Sequence, residues 1–453
     1  MGHRASTQCH RLMLMSTGKD SGSLVSVQSG DVLISHPTAV REHEISIVPN
    51  APHAISPTHD AAVSDACSEA DALGVDAWLT EDQTHVIKIA SHRSPNTAAD
   101  HDASTHGLVY RGPGRRAWEE RARPVLQDQT DAIVRITTTT ICGTDLHILK
   151  GDVPSVTEGR ILGHEGIGVV TEVGAGVSTF HPGDRVLISC ITSCGRCDFC
   201  RKQMYSHCRH GGWILGNTID GTQATHVRIP YAETSLYAIP PDADAEGLVM
   251  LSDILPTGFE CGVLNGRIQP GDRVAIVGAG PVGLAALLTA QFYSPDSVVM
   301  IDLDDKRLEV ARQFGATTVI NSTDGSAVQR VMDMTAGHGV DVAIEAVGVP
   351  ATFNICQAIL APGGRLANVG VHGVPVTLHL EKLWDRNITI TTRLVDTTTT
   401  PMLLTAVQSG RLQSRRLATH RFALSEVMQA YDTFEHAARV GALKVILSND
   451  ARG

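Results

Sequence analysis

The chain of 453 residues has no apolar stretch long enough to span a membrane, and it contains no long run of basic residues. Its formal net charge is −11 at pH 7. This charge disfavours nucleic-acid binding, because nucleic-acid phosphates attract clustered Lys and Arg. The apolar run at residues 12–15 is shorter than the core of an export signal. We therefore expect a cytoplasmic protein with no membrane partner and no nucleic-acid partner.

Aromatic residues are nearly absent from residues 1–106, where Trp78 stands alone, although ten of the 21 histidines lie there. The first 30 residues are rich in Ser, Gly and Thr, a composition typical of segments without a fixed fold. The histidines lack the spacing of metal ligands, which favours surface positions. We predict an N-terminal extension with a polar linker at residues 91–106. Its small β/α module has predicted strands at residues 44–48 and 86–90 and a predicted helix at residues 61–73.

Four of the ten cysteines form a close group with the spacing C-x2-C-x2-C-x7-C, namely Cys194, Cys197, Cys200 and Cys208. Thiolates at this spacing can enclose one tetrahedral zinc ion and leave no open position, which is the pattern of a structural site. Disulfides or scattered free thiols are the alternatives. Disulfides fit poorly, because nothing in the chain indicates export. We predict a structural zinc here.

A glycine-rich turn follows the apolar run of residues 273–277 and precedes the helical stretch of residues 284–292. Glycines in such a turn let the backbone approach a pyrophosphate, and the following helix supplies partial positive charge at its N-terminus. The pattern is weak evidence alone, but its place between a strand and a helix is the one that the mechanism requires. We predict a dinucleotide site that includes Gly278, Gly280, Pro281, Val282 and Gly283.

Asp302 ends the next predicted strand, 19 residues after Gly283. A carboxylate in this place can accept hydrogen bonds from the ribose hydroxyls, and it repels a 2′-phosphate. NAD is therefore predicted over NADP, although Lys306 and Arg307 follow closely and act in the opposite direction. A helix N-cap is the alternative role for Asp302.

Alternating strands and helices continue beyond the glycine-rich turn. Such alternation predicts a parallel sheet that is covered by helices on both faces. The predicted strands lie at residues 317–320, 340–345 and 365–369, and the predicted helices at residues 308–314, 327–335 and 352–360.

Cys142 and His164 each lie in a short glycine-containing motif, Cys142-Gly143-Thr144 and Gly163-His164-Glu165. A thiolate and an imidazole are both good zinc ligands. The Thr144 hydroxyl, two residues after the cysteine, can accept a proton from a bound alcohol. The alternative is a buried cysteine and a core histidine. The four-cysteine group and the dinucleotide turn in the same chain argue for the zinc ligands.

These motifs occur in one order along the chain, and in that order the chain resembles the zinc-dependent alcohol dehydrogenases of the medium-chain dehydrogenase/reductase family. The resemblance covers about residues 107–450. It implies an α/β fold with a GroES-like, β-rich catalytic domain at residues 107–255. A Rossmann NAD-binding domain at residues 256–393 interrupts that domain, and residues 394–453 return to it. The resemblance also implies a homodimer or a homotetramer.

The third ligand of the catalytic zinc departs from a common family pattern, which uses a second cysteine. The matching segment, residues 251–258, resembles the bacterial secondary-alcohol dehydrogenase subgroup, where an aspartate takes this place. The resemblance therefore implies Asp253 as the ligand, with Cys261 as the alternative. In the same subgroup Trp213 matches a tryptophan of the substrate pocket, although an ordinary loop or core aromatic is equally compatible with the sequence.

The family resemblance implies two zinc ions per subunit, one catalytic and one structural. The catalytic zinc would stabilise the alkoxide of a bound alcohol. The resemblance implies that Thr144 takes the alcohol proton and relays it through the cofactor ribose to His147, which lies near solvent. It makes Glu165 a transient ligand or a partner of the ligands. Thr257, where the chain enters the cofactor domain, is assigned to the cofactor site.

The resulting hypothesis is the zinc-dependent oxidation of a small alcohol to an aldehyde or ketone, and the reverse reaction, with hydride transfer to NAD. A polyol, threonine or aldehyde dehydrogenase of the same family is the alternative among enzymes. A non-catalytic NAD-binding protein is the alternative outside them. Loss of the zinc ligands or of Thr144 would mark such a protein, and the sequence retains all of them.

Overall fold

The computed structural model describes residues 32–35, 43–47, 54–56, 61–66, 68, 76–80, 86–91 and 104–449. The chain divides into two compact units, Met1–Asp102 and Ala103–Gly453. The predicted unstructured segment at residues 1–30 and most of the predicted linker lie outside the described residues. The domain boundaries implied by the resemblance stay a prediction.

The described part of the first unit is a sheet of five strands: β1 (Val32–Ser35), β2 (His43–Ile47), β3 (Ala54–Ser56), β4 (Asp76–Thr80) and β5 (Val86–Ser91). Their order is β3-β2-β1-β4-β5, with β1 antiparallel to β2 and parallel to β4. The predicted strands fall on β2 and β5, whereas β1, β3 and β4 are additional to the prediction. Residues 61–66 are helical, and Ala62, Val63 and Ala66 of this helix are buried.

The second unit begins with a hairpin of β6 (Ser104–Tyr110) and β7 (Arg116–Ala122). A mainly antiparallel sheet follows, and its strands are β8 (Ala132–Thr140), β9 (Gly166–Val173), β10 (Arg185–Ile188), β11 (His226–Ile229), β12 (Leu236–Ala238), β19 (Ala418–Ala423) and β20 (Lys444–Ser448). The order is β12-β10-β9-β8-β20-β19, and β11 also pairs with β8. The final strand β20 lies antiparallel to β8, with Ile446 opposite Thr140. The end of the chain therefore completes a sheet that its first half begins.

A second sheet contains the strands β13 (Arg273–Val277), β14 (Ser297–Asp302), β15 (Thr318–Asn321), β16 (Val340–Glu345), β17 (Leu360–Asn368) and β18 (Thr389–Thr392). All neighbours are parallel, in the order β15-β14-β13-β16-β17-β18. The strand order reverses between β13 and β16, and open α/β sheets bind their ligands at such a switch point. The predicted doubly wound fold is confirmed.

Some helices of the second unit pack on the parallel sheet, and others pack on the antiparallel sheet. The α-helices are α1 (Gly143–Lys150), α2 (Ala232–Ser235), α3 (Ala245–Leu248), α4 (Ile254–Pro256), α5 (Pro281–Ala290), α6 (Asp305–Gln313), α7 (Ala327–Met334), α8 (Pro350–Ile359), α9 (Leu380–Leu383), α10 (Thr400–Gln408), α11 (Val427–Glu435) and α12 (Ala437–Val440). Single 3₁₀ turns lie at Cys200–Lys202, Tyr205–His207, Val249–Leu251, Gln291–Tyr293, Ser414–Leu417 and Leu424–Glu426, and a π-helix at Thr257–Leu264. The observed ends of α6, α7 and α8 lie within about three residues of the predicted ends, a normal uncertainty at helix termini.

The chain crosses between the two sheets twice. The first crossing contains the π-helix, and the second, residues 393–399, runs from β18 to α10. Glu260 of the π-helix is fully buried, and its carboxylate accepts hydrogen bonds from the backbone N–H groups of Asp396 and Thr399, both at 2.9 Å. A buried carboxylate is stable when backbone donors satisfy its oxygens. Glu260 therefore joins one crossing to the other.

Among the described residues, no single helix is both long and apolar enough to cross a membrane. The bent pair Ala245–Leu251 and Ile254–Leu264 passes by length and composition only, with a 50° bend between its parts. Apolar side chains of this pair, such as Leu251 and Leu255, belong to the main hydrophobic core.

Candidate active site and zinc sites

The four predicted cysteines lie together. All four Sγ atoms of Cys194, Cys197, Cys200 and Cys208 lie within 4.8 Å of one another, and the Sγ atoms of Cys197 and Cys200 are 3.5 Å apart. Among the described cysteines none is in a disulfide. Four thiol ligands without an opening fit a tetrahedral structural zinc. The predicted structural zinc site is therefore confirmed in its donor set.

Backbone amides prepare this group for a cation. The backbone N–H of Cys194 donates to the Sγ of Cys208 at 3.2 Å. Backbone donors at Arg209 and Cys200 lower the pKa of the Cys197 thiol to about 6, whereas burial raises the pKa of Cys200 to about 12. Zinc requires thiolates, so the low value at Cys197 supplies the first of them near neutral pH.

The catalytic donor set unites three residues that are far apart in sequence. The Oδ2 atom of Asp253 lies 3.2 Å from Nε2 of His164 and 3.5 Å from Sγ of Cys142. These three donor atoms lie within 4.8 Å of one another. One thiolate, one imidazole and one carboxylate, with a cavity on the remaining side, form a catalytic zinc site.

Local structure fixes each of these ligands. Cys142 is the N-cap of α1, where its backbone N–H donates to Oδ2 of Asp145 at 2.9 Å. His164 follows Gly163, whose φ of +97° lies in the left-handed region that favours glycine. Asp253 lies between two short helical turns, and its Oδ1 atom accepts a hydrogen bond from the Thr257 hydroxyl at 2.6 Å. The carboxylate therefore has one oxygen held by Thr257 and the other aimed at the remaining ligands.

The ligands shift each other's proton affinity. Burial is the largest single effect on both His164 and Asp253 and opposes charge on each, but the hydrogen bond between them together with neighbouring hydrogen bonds and charges outweighs it. The pKa of Asp253 falls to about 2, and the pKa of His164 rises well above its ordinary value. Burial, and then the negative charge of Asp253, raise the pKa of the Cys142 thiol. A bound cation reverses this balance, because it displaces the protons of the thiol and the imidazolium.

Glu165 lies beside these ligands in a buried network that the sequence does not reveal. Its Oε2 atom accepts hydrogen bonds from the Thr140 hydroxyl and from Nζ of Lys444, which is 1% exposed. Among the described residues, Oε1 of Glu165 has no hydrogen-bond partner, although it is buried. An unpaired buried carboxylate oxygen is costly, and a cation at this centre would satisfy it. Lys444 comes from the final strand, so spacing between motifs gave no signal of it.

One cavity of about 1020 Å³ is lined by eight of the eighteen predicted site residues. The imidazole of His147 also lies at its wall, about a third exposed, with Nδ1 at 3.0 Å from Oδ2 of Asp152. The ring of Trp213 packs edge-on against His164, with centroids 6.2 Å apart. The predicted site residues that line this cavity are Cys142, Thr144, His147, His164, Trp213, Asp253, Thr257 and Val282.

Two other cysteines lie near the catalytic set. Cys261 is 1% exposed and lies in the π-helix, packed with Cys190 and Val395 rather than grouped with the ligands. Cys190 is buried two residues beyond the end of β10, with Sγ at 3.8 Å from Oδ1 of Asp253. Burial raises the pKa of both thiols, so neither is prepared as a thiolate. This arrangement favours Asp253 over Cys261 as the third ligand.

The glycine-rich turn follows β13 at the switch point of the parallel sheet. A Cβ atom on Gly283 would lie 1.8 Å from the carbonyl oxygen of Gly278, so only glycine fits there. A Cβ atom on Gly280 would meet no described atom within 4 Å, which leaves free space before the N-terminus of α5. Pro281 and Val282 begin that helix. Free space in front of a helix N-terminus is what the pyrophosphate of a dinucleotide requires.

Asp302 ends β14 beside this turn. Its Oδ2 atom accepts a hydrogen bond from the backbone N–H of Ala279 at 2.6 Å, and its Oδ1 atom accepts one from Leu303 at 2.7 Å. The N-cap of α6 is Asp304 rather than Asp302. The alternative role as a helix N-cap is therefore excluded for Asp302.

The two sheets, the nucleotide turn and the two zinc donor sets define a zinc-dependent dehydrogenase with a nicotinamide cofactor. Two family models match the chain, the alcohol dehydrogenase GroES-like domain at residues 128–241 and the zinc-binding dehydrogenase at residues 281–409. An alcohol dehydrogenase of Cupriavidus necator is 37% identical over 365 residues, which cover 76% of this chain and 99% of that protein. The chain belongs to the zinc-dependent medium-chain alcohol dehydrogenase family.

Other relatives agree on the family, and the name of one of them specifies NADP. The zinc-dependent alcohol dehydrogenase 2 of Streptococcus pneumonia is 55% identical in its solved structure, with a TM-score of 0.74 over 77% of this chain and 100% of that one. The alcohol dehydrogenase of Thermus sp. ATN1 is 36% identical with a TM-score of 0.70, over 76% and 99% of the two chains. The NADP-dependent isopropanol dehydrogenase of Clostridium beijerinckii is 33% identical over 59% of this chain and 76% of that protein.

Metal analysis of variants separates the two zinc sites. The wild-type protein should hold about two zinc ions per subunit, since each donor set binds one. Asp253→Ala should retain one, because the four-cysteine group is intact. Cys261→Ser is the matched control and should retain both, since its thiol packs in the core. Elemental analysis after gel filtration measures the content. If Cys261→Ser loses one zinc and Asp253→Ala keeps both, then Cys261 rather than Asp253 is the third ligand of the catalytic zinc.

Proposed function

We propose that this alcohol dehydrogenase oxidises a small primary or modest secondary alcohol and uses NAD as the hydride acceptor. One observation carries the proposal. The hydroxyl of Thr144, the three catalytic donors and residues of the nucleotide-binding sheet line the same cavity. A reacting carbon held there would lie between a proton acceptor and the cofactor, and such positioning accounts for much of an enzyme's rate enhancement.

The side chains around the donor set have different roles in the proposed reaction. The zinc would supply a Lewis acid that stabilises negative charge on the alcohol oxygen. Thr144, with Oγ1 at 3.7 Å from Sγ of Cys142, accepts the alcohol proton. His147, partly exposed and paired with Asp152, passes a proton to solvent. Glu165 supports the donor set through Oε1, which has no hydrogen-bond partner among the described residues.

The walls of the cavity favour a small substrate. The methyl group of Thr144 narrows the space beside the donor set, and the indole of Trp213 closes another side against His164. The apolar side chains of Val153 and Ile191 continue these walls and exclude water. Exclusion of water strengthens electrostatic interactions within the site.

A substrate panel with two variants of Thr144 tests the reaction. The wild type should reduce NAD with short primary and secondary alcohols. Thr144→Val should lower kcat by about 10²- to 10⁴-fold, the usual contribution of a positioned proton acceptor. Thr144→Ser keeps the hydroxyl and should stay active, with wider acceptance of branched alcohols. Absorbance of the reduced nicotinamide reports the rate. Turnover of polyols, threonine or aldehydes alone, or full activity in Thr144→Val, would refute the proposal.

NAD is proposed over NADP because of Asp302. Its carboxylate is held at the end of β14 by backbone donors of the nucleotide turn, so it can receive the ribose hydroxyls and repel a 2′-phosphate. Asp302→Gly should raise the NADP-to-NAD ratio of kcat/KM about tenfold to a hundredfold, the equivalent of one charged hydrogen bond. Asp304→Asn is the control, because it removes a nearby charge and keeps the cap of α6. An unchanged ratio in Asp302→Gly would contradict the assignment.

We also propose a homodimer or a homotetramer that forms through the open edge of the parallel sheet. Among the described strands, β18 pairs only with β17, so its other edge is open. The segment between β17 and β18 exposes apolar side chains, among them Val371, Val374, Leu380 and Trp384, the last 79% exposed. Exposed apolar surface beside an open strand edge is typical of an interface.

Sedimentation of two charge variants tests this assembly. Trp384→Glu should lower the molecular mass toward that of one chain, because it places a charge in the apolar surface. Val125→Glu is the control and should leave the mass unchanged, since Val125 is also exposed, at 65%, but is not part of that surface. A monomeric wild type would rule out the proposed assembly.

A further inference from the structure

The four-cysteine group belongs to a lobe, residues 194–208, that also forms one wall of the catalytic cavity. We call this segment the cysteine lobe. Its side chains at the cavity are Lys202, Gln203, Met204 and His207. Met204 is 37% exposed and Leu394, which lines the same cavity, is 46% exposed. Two apolar side chains that face an open cavity are suited to contact an apolar substrate chain.

A buried carboxylate holds the cysteine lobe in this position. The Oδ1 atom of Asp396, a residue only 3% exposed, accepts hydrogen bonds from both the backbone N–H and the hydroxyl of Ser206, at 2.9 and 2.6 Å. Tyr205, one residue earlier, packs against the buried cluster that contains Ile191 and Val395. Hydrogen bonds to a carboxylate are stronger than those between neutral groups. The bonds from Ser206 to Asp396 therefore hold the cysteine lobe more firmly than backbone hydrogen bonds of a turn would.

Asp396 is itself held from two directions. Its Oδ2 atom accepts a hydrogen bond from the guanidinium of Arg393 at 2.8 Å. Its backbone N–H donates to Glu260, which also binds the backbone of Thr399 and so fixes the second crossing between the sheets. The cysteine lobe is therefore attached to a segment that is fixed by buried hydrogen bonds, and that segment also supplies Leu394 to the cavity lining.

We propose that Asp396 is a positioning residue that sets the length of alcohol chain the enzyme accepts. It holds Met204 of the cysteine lobe at a fixed separation from Leu394, so that these two side chains contact the distal carbons of the substrate. The structural zinc, by ordering the lobe, then takes part in substrate selection as well as in stability. This inference rests on the proposed alcohol oxidation. It adds that the cysteine lobe controls the chain length of the alcohol.

Chain-length profiles of four variants test the inference. Asp396→Ala should raise KM for hexan-1-ol and lower the hexan-1-ol to ethanol ratio of kcat/KM about tenfold, as expected when one or two methylene groups lose apolar contact. Ethanol is too short to reach the wall, so its kcat should change less than about threefold. Ser206→Ala, which removes one of the two bonds to Asp396, should give a smaller fall in the same ratio. Met204→Ala should reproduce the fall with Asp396 in place.

Asp198→Asn is the matched control within the cysteine lobe. Asp198 pairs with Arg209 at 2.5 and 2.8 Å and is half exposed, and it does not line the cavity. This variant should keep the wild-type chain-length ratio. Release of zinc to a chelator should be faster in Asp396→Ala than in Asp198→Asn, while both proteins still hold two zinc ions when purified.

The outcomes distinguish this inference from the proposed function. A wild type that oxidises no alcohol would overturn the proposed function. An active wild type whose chain-length ratio is unchanged in Ser206→Ala and Met204→Ala would overturn the role of Asp396 and leave the alcohol oxidation intact. The same holds if Asp396→Ala folds and shows only a lower Tm. If Asp396→Ala fails to fold, Ser206→Ala and Met204→Ala decide the question.

Discussion

Confinement of several acidic groups in a space that water barely reaches is the constraint on which the active site depends. Each loses hydration on burial, and in their ionised forms these groups repel one another. The chain opposes them with two cationic groups of its own and leaves room for a divalent ion. The groups concerned are Cys142, Asp145, Glu165 and Asp253 as acids, with His164 and Lys444 as cations. The surrounding fold serves to hold this set of charges together against its own repulsion.

The reaction also requires a fixed distance between the zinc donor set and the cofactor. The contacts that join the two sheets provide it. The parallel sheet places the nucleotide turn at its switch point, and the antiparallel sheet carries Cys142 and His164 near the ends of its strands. Glu260 joins the two crossings through buried hydrogen bonds. Because these hydrogen bonds are buried, they hold the two crossings at a fixed position relative to each other.

The sequence predicted those sites whose residues lie close together along the chain. The four cysteines and the glycine-rich turn lie within short segments, so their pattern in sequence carried their geometry. Asp253 required the family resemblance, because nothing near it in sequence marks a ligand. Lys444 and Asp396 escaped prediction, since Lys444 meets Glu165 across 279 residues and Asp396 meets Ser206 across 190. The contact between Cys190, which lies beyond β10, and Asp253 also escaped prediction, because 63 residues separate the two.

The position of Lys444 on β20 has a consequence for the order of assembly. Cys142, His164 and Asp253 are synthesised before Lys444, and the whole nucleotide-binding sheet lies between Asp253 and Lys444 in sequence. If Glu165 is buried before β20 pairs with β8, its carboxylate lacks this cation. The centre therefore becomes electrostatically complete only when β20 joins the sheet. Metal bound early would lessen that charge imbalance, which makes zinc a partner in folding as well as in chemistry.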